Sequence, residues 1–205
     1  MPNYKLYYFQ ARGLAEMSRL LFAQAEVDYE DVRFSGEEWP ELKPKMLFGN
    51  VPVLFVDGEQ IAHSRAIVRY LAREFKLDGG NSLNAAKFDM WIEAIMEAIY
   101  KLQTPLSDLS DTKKAELTAA AFNDHIHPKF TKFEEAVDTQ GGTYLFGNAI
   151  SAADIAAFAL FEMLNSRYPD EKILDRHPTL AKVVAAVQDE PKIAKWLKER
   201  PKTEY

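Results

Sequence analysis

The 205-residue chain contains no cysteine. That excludes disulfides, a cysteine nucleophile and thiolate metal sites. Any thiol chemistry must use a thiol brought by a ligand. The absence fits a reducing, cytoplasmic setting. Long apolar runs are also missing: no stretch approaches the ~20 residues that a membrane span needs. The opening MPNYKLYYFQ has no basic n-region, long apolar core or cleavage site, so no secretory leader is expected there. Positive charge is in the minority, with 25 Lys plus Arg against 31 Asp plus Glu, a net charge of −6. With no basic run, the chain lacks the electrostatic footprint of a nucleic-acid or anionic-membrane binder. Metal-ligand spacing is absent as well. His125 and His127 are two apart, which on a helix turns them to different faces, and Pro128 follows. His177 precedes Pro178 in a loop. There is no phosphate-binding glycine loop and no serine–histidine–acid triad.

What is present is a hydrophobic fraction of 47%, enough for a sizeable core in one large domain or two small ones. YKLYYF (Tyr4–Phe9) is short, aromatic and β-prone, and reads as a strand. In LAEMSRLLFAQAEV, Leu14, Met17, Leu20, Leu21 and Ala25 fall on one helix face, and Gly13 marks the turn into it. YEDVRF reads as a second strand, so the run predicts a parallel pair with a right-handed crossover. SGEEWPELKPKMLFGN is polar and proline-broken, a loop with an irregular short helix. VPVLFV is a buried strand, headed by Pro52, which has no N–H to give a ladder. Asp57–Gly58 is a hairpin signal, and EQIA returns antiparallel. Ser64 is placed to N-cap RAIVRYLAREF, with Ile67, Tyr70, Leu71 and Phe75 on one face.

KLDGGNS has the composition of a linker. Beyond it the pattern is helical. LNAAKFDMWIEAIMEAIYKLQ is one long helix, and TKKAELTAAAFNDHIHPKFTKFEEAVDT a second, kinked or broken at Pro128. ISAADIAAFALFEMLNSRY is apolar enough to be buried on most sides. Ser151 and Asp154 have capping-box spacing, with Ile150 and Ile155 at the staple positions, a structural role rather than a catalytic one. Two short helices close the chain, TLAKVVAAVQDE and PKIAKWLKER. The expected division is an α/β domain over 1–76, a linker over 77–82 and an all-α domain over 83–205.

Seven motifs in order now carry a resemblance: YYF, Trp39 with Lys43, VPVL at Val51–Leu54, Asp57–Gly58 followed by His63–Ser64, YLAREF, GNAISAADI and the terminal RPKTEY. Together they resemble the cytosolic glutathione S-transferases over essentially the whole chain, and most of all the sigma class, which includes prostaglandin D synthase and the S-crystallins. The resemblance implies a thioredoxin-like domain that binds glutathione as co-substrate and an all-helical domain forming a hydrophobic site. It implies that Tyr8 activates the glutathione thiol. Val51, before a cis Pro52, would lend its backbone N–H and C=O to the cysteinyl unit. Ser64 would hold the γ-glutamyl carboxylate at a helix N-terminus. Trp39 and Lys43 would reach the glycyl end, Asn50 and His63 would complete the site, and Glu97 would cross a homodimer interface to the γ-glutamyl ammonium. On the residues alone, Tyr8 is one of several strand aromatics, Lys43 an exposed lysine, Ser64 an N-cap and Glu97 a solvated helix residue.

Three positions depart from the sigma pattern. Leu14 stands where several members have arginine, Asn50 where glutamine or lysine is common, and His63 where glutamine is common. These changes bear on catalytic efficiency more than on fold. The expected activity is conjugation of the glutathione thiolate to small hydrophobic electrophiles, without a metal. Met96 and Ala152 are candidates for the apolar site, with the region near Thr104 left unaligned. The alternatives are a low-activity, S-crystallin-like structural or binding protein and a glutathione-dependent prostaglandin isomerase. The stretch KLQTPLSDLSDTKK lacks the insertion frequent in lens crystallins, which favours the enzyme.

Overall fold

The computed structural model describes residues 2–102 and 110–203. Thr104, with the rest of 103–109 in KLQTPLSDLSDTKK, and the last two residues of RPKTEY lie outside the described residues. In chain order the elements are β1 (Tyr4–Phe9), α1 (Glu16–Ala25), β2 (Glu30–Phe34), α2 (Trp39–Leu42), β3 (Val53–Val56), β4 (Glu59–Ala62) and α3 (Ser64–Glu74). Then come α4 (Ser82–Leu102), α5 (Asp111–Ala121), α6 (His127–Gln140), α7 (Ala152–Arg167), α8 (Ile173–Arg176), α9 (Pro178–Asp189) and α10 (Pro191–Glu199). They form two compact units, Met1–Asp78 with Gln188–Tyr205, and Gly79–Val187.

The first unit is built on a sheet of order β2-β1-β3-β4. β1 and β2 are parallel, and β3 runs antiparallel to both β1 and β4. The β-α-β run and the hairpin expected from the sequence are therefore both present. Asp57 and Gly58 both have positive φ, 51° and 93°, the turn geometry that matches strand twist. Strand alternation sorts the β1 side chains. Tyr4 and Leu6 are buried, and Tyr4 meets Phe22 of α1 and Phe75 beyond α3 edge-on. Tyr7 points the other way, onto the cluster of Met46, Val53 and Ala62 with Trp39 and Phe55. The buried seam of α3 is Ile67, Val68, Leu71 and Ala72; Tyr70 and Phe75, expected on it, are only half-buried. The unit boundary also differs from the one expected: Gln188–Tyr205 cluster with the first unit. There Ile193 is buried and Trp196 Nε1 donates to Glu16 Oε1 at 2.9 Å.

In the second unit α7 is the core helix, with eleven of its sixteen residues buried. Its capping box is complete. Asp154 Oδ2 accepts from Ser151 N at 2.9 Å, and Oδ1 accepts from Leu145 N at 2.8 Å. The helix expected to break at Pro128 resolves into α5, a π-helical turn over Phe122–Ile126, and α6. Proline has no N–H to give the preceding turn, and the widened turn lies just before it. α8 was not expected from the pattern. Among the described residues no helix is long and apolar enough to cross a membrane.

Candidate active site

Sheet topology brings the candidate residues of the first unit together. Because β3 is antiparallel to β1, Val53 pairs with Tyr7 near the end of β1. Because β4 is antiparallel to β3, Val53 also pairs with Ala62 at the end of β4. One sheet end therefore collects Tyr8, the Val51–Pro52 entry to β3 and the His63–Ser64 entry to α3. Trp39 of α2 joins them through a stack on Phe34, ring centroids 5.6 Å apart, and an edge contact with Phe9.

The Val51–Pro52 peptide bond is cis and Pro52 is buried. Among the described residues no backbone hydrogen bond engages Val51, so its N–H and C=O fit a main-chain ligand at the sheet edge. Gly49, at φ +61°, lies against the aliphatic stem of Lys43, with Cε 3.5 Å from where a Cβ would stand. That contact sets Lys43 beside Asn50. Lys43 and Asn50 are both exposed, and among the described residues Lys43 has no carboxylate partner. Ser64 is not the N-cap of α3. His63 holds that place, exposed, at φ +70° and without a side-chain cap bond, and its ring stacks on Phe48 at 5.3 Å. Ser64 is the first helical residue and is buried. The first N–H groups of a helix lack intrahelical acceptors, so this end suits an anion.

Tyr8 sits half-buried near the end of β1, and its hydroxyl oxygen accepts from Leu14 N–H at 3.2 Å. Gly13, at φ +42°, makes that approach possible, since a Cβ there would lie 2.5 Å from the Tyr8 oxygen. The Arg19 guanidinium carbon lies 5.9 Å from the Tyr8 ring centroid. An open cavity of ≈ 430 Å³ lies at Tyr8 and is lined by Phe9, Gln10, Ala11, Gly13 and Phe34. Leu14 thus acts through its main chain, whatever its side chain. In the sequence Gly13 marks only a turn, and Arg19 belongs to no motif. Its one sequence signal is a Glu16–Arg19 pair three apart in a mainly apolar helix.

The remaining candidates lie in the second unit. Glu97 is exposed on α4 and pairs with Lys129 at 3.3 Å. Met96 and Ala152 are buried, so neither presents surface to a ligand. Among the described residues no group of three or more His, Cys, Asp or Glu is placed to hold a metal ion.

Comparison with known proteins matches the "Glutathione S-transferase, N-terminal domain" family over residues 4–73 and the "Glutathione S-transferase, C-terminal domain" family over residues 96–200. The chain belongs to the glutathione S-transferase family. It is 38% identical over 212 residues to glutathione S-transferase 1 of Ascaris suum, covering 100% of both chains. It is 38% identical to hematopoietic prostaglandin D synthase of Gallus gallus, covering 99% of each. S-crystallin SL11 of Nototodarus sloanii is 35% identical across 100% of both. Among solved structures, the glutathione S-transferase from Ascaris lumbricoides superposes with a TM-score of 0.88 at 36% identity, covering 100% of both chains. These relatives span the three kinds of protein named by the resemblance. The family uses glutathione as its co-substrate.

Proposed function

We propose that this glutathione transferase is sigma-like and tyrosine-type, conjugating glutathione to small hydrophobic electrophiles with Tyr8 activating the thiol. The observation that carries the reading is the Tyr8 hydroxyl, anchored by Leu14 N–H at the sheet end shared with Val51, Pro52 and Ser64. Accepting that N–H polarises the hydroxyl, which makes its own hydrogen a stronger donor to sulfur. A glutathione thiol has a pKa of about 8.5, and lowering it by about two units takes ~2.7 kcal/mol, within reach of a charge-assisted bond with nearby positive charge. Val51 pairs with the cysteinyl main chain, and Ser64 with the α3 N-terminus takes the γ-glutamyl carboxylate. Lys43 meets the glycyl carboxylate beside Trp39, while Asn50 and His63 complete the rim. The thiolate attacks electrophilic carbon, a carbon–sulfur bond forms, and the leaving group departs with its electron pair. In a cytoplasmic homodimer, Glu97 reaches the partner's γ-glutamyl ammonium, exchanging its contact with Lys129. Conjugation to a chloronitrobenzene, measured for the wild type and Tyr8→Phe, tests this. Robust turnover that falls steeply in the variant is expected; equal rates would refute the role of Tyr8.

Two observations favour other readings of the same scaffold. The similarity to a prostaglandin D synthase favours an isomerase, which product analysis with a prostaglandin endoperoxide would reveal. The Leu14 side chain, in place of a cation, favours a crystallin-like protein, which would bind glutathione with negligible turnover.

A further inference from the structure

Arg19 is a charged residue with no exposed surface, buried on α1 among Met17, Leu20, Leu21 and Phe22 with only Glu16 and Ser18 as buried polar neighbours on that helix. Its Nε donates to Asp31 Oδ1 at 3.1 Å. Its Nη1 donates to Ala11 O at 2.8 Å, to Arg12 O at 3.3 Å and to Glu16 Oε2 at 3.3 Å. The two carbonyls belong to the loop between Tyr8 and Gly13, so one guanidinium fixes the backbone that carries Tyr8 to its Leu14 contact. Nη2 is buried without a hydrogen-bond partner among the described residues. The Tyr8 ring face, 5.9 Å from the guanidinium carbon, offers that side chain a π acceptor at cation–π range. Glu16 fixes the guanidinium from the other side. It is itself buried, and its Oε1 accepts from Trp196 Nε1 and Arg200 Nη1, both at 2.9 Å. Arg33 closes the network on Asp31 Oδ2 at 2.7 Å. Three arginines, Arg19, Arg33 and Arg200, thus converge on two carboxylates, Glu16 and Asp31, beside the tyrosine.

We propose that Arg19 is a positioning residue for thiol activation: held by Glu16 and Asp31, it sets the Ala11–Arg12 loop and packs its guanidinium against the Tyr8 ring. This rests on Tyr8 being the thiol-activating group. The C-terminal helix enters through Trp196 and Arg200, which fix the carboxylate that fixes Arg19.

The test uses two substitutions that keep charge and change reach, Arg19→Lys and Glu16→Asp, with Tyr8→Phe alongside. A lysine cannot reproduce the planar fork that spans Asp31 and the two carbonyls. The readouts are the thiolate absorbance of bound glutathione against pH and the pH profile of kcat/KM. Arg19→Lys should raise the bound thiol pKa by about half to one unit, a ~2- to 5-fold loss of kcat/KM at pH 6.5 that closes at pH 9. Glu16→Asp should move it in the same direction and serves alone if Arg19→Lys does not fold. A lower melting temperature with an unmoved thiol pKa in these variants would overturn the proposal and leave Arg19 structural. If Tyr8→Phe itself leaves the thiol pKa unmoved, the reading beneath the proposal fails, and the proposal with it.

Discussion

Acidification should weaken this fold through His127, and the sign and size follow from one buried chain of hydrogen bonds. Glu134 accepts from Thr179 N at 2.8 Å, from Leu180 N at 3.0 Å and from His177 Nδ1 at 2.8 Å. A carboxylate only accepts, so the proton at that contact sits on His177 Nδ1. His177 Nε2 and His127 Nδ1 meet across 2.9 Å. The other ring nitrogen, His127 Nε2, is buried with no partner among the described residues. A second proton on this ring creates a charge inside the packing. Burial, the nearby Arg176 and His177 hold His127 down, from 6.5 to about 4. Between these values the unfolded chain binds the proton and the native protein does not. The contribution is therefore complete above pH 6.5 and is lost progressively as pH falls towards 4. At ~1.4 kcal/mol per unit, the loss reaches about 2 to 3 kcal/mol by pH 4.5. Urea unfolding at pH 7.5 and 4.5 measures it, with His127→Asn as reference, since asparagine keeps a polar group towards His177 and does not titrate. The wild type should lose about 2 kcal/mol more than the variant over that interval. Equal losses would refute the reasoning that a buried, neutral His127 resists its second proton.

Gly13→Ala should cost about 1 to 2 kcal/mol from its positive φ, and the new Cβ, 2.5 Å from the Tyr8 oxygen, must push the hydroxyl off Leu14 N–H. Conjugation should fall about tenfold or more, a ~1.4 kcal/mol effect or larger; unchanged kinetics would show that the hydroxyl's placement does not matter. Asp154→Ala removes the acceptor of Ser151 N, Ser151 Oγ and Leu145 N at a buried site. Its cost should be about 3 kcal/mol or more in chemical denaturation, with Ser151→Ala at about 1; a cost below that of Ser151→Ala would contradict the cap. Lys43→Ala should weaken glutathione binding about three- to tenfold in low salt, with the gap narrowing as salt rises. Titration calorimetry showing equal affinities at all salts would remove Lys43 from the glycyl carboxylate.

Local signals carried most of the first unit. The β-prone aromatic run Tyr4–Phe9, the Asp57–Gly58 turn and the helix face of Leu20 and Leu21 each depend on a few neighbouring residues, and each formed as expected. The misses are tertiary. Nothing local in PKIAKWLKER marks its apolar face for α1, where Ile193 is buried and Trp196 meets Glu16. At His63–Ser64, side-chain preference pointed to serine as the cap, whereas the chain must turn through positive φ to leave β4, and it does so one residue earlier. At the site, residue types pointed to Tyr8, Lys43 and Ser64. The support for Tyr8 was harder to see because it comes from a backbone N–H, a missing Cβ at Gly13 and a buried arginine. Side-chain identity at Leu14 says little about the contact its main chain makes.

The most direct test of the central claim is the ionisation of glutathione bound to this protein, followed by thiolate absorbance from pH 5 to pH 9.5 in the wild type and in Tyr8→Phe. A bound thiol titrating about two units below the free value of ~8.5 in the wild type, and returning towards it in the variant, is the result predicted for a tyrosine-activated transferase. Coincident titration curves for the two proteins would contradict it.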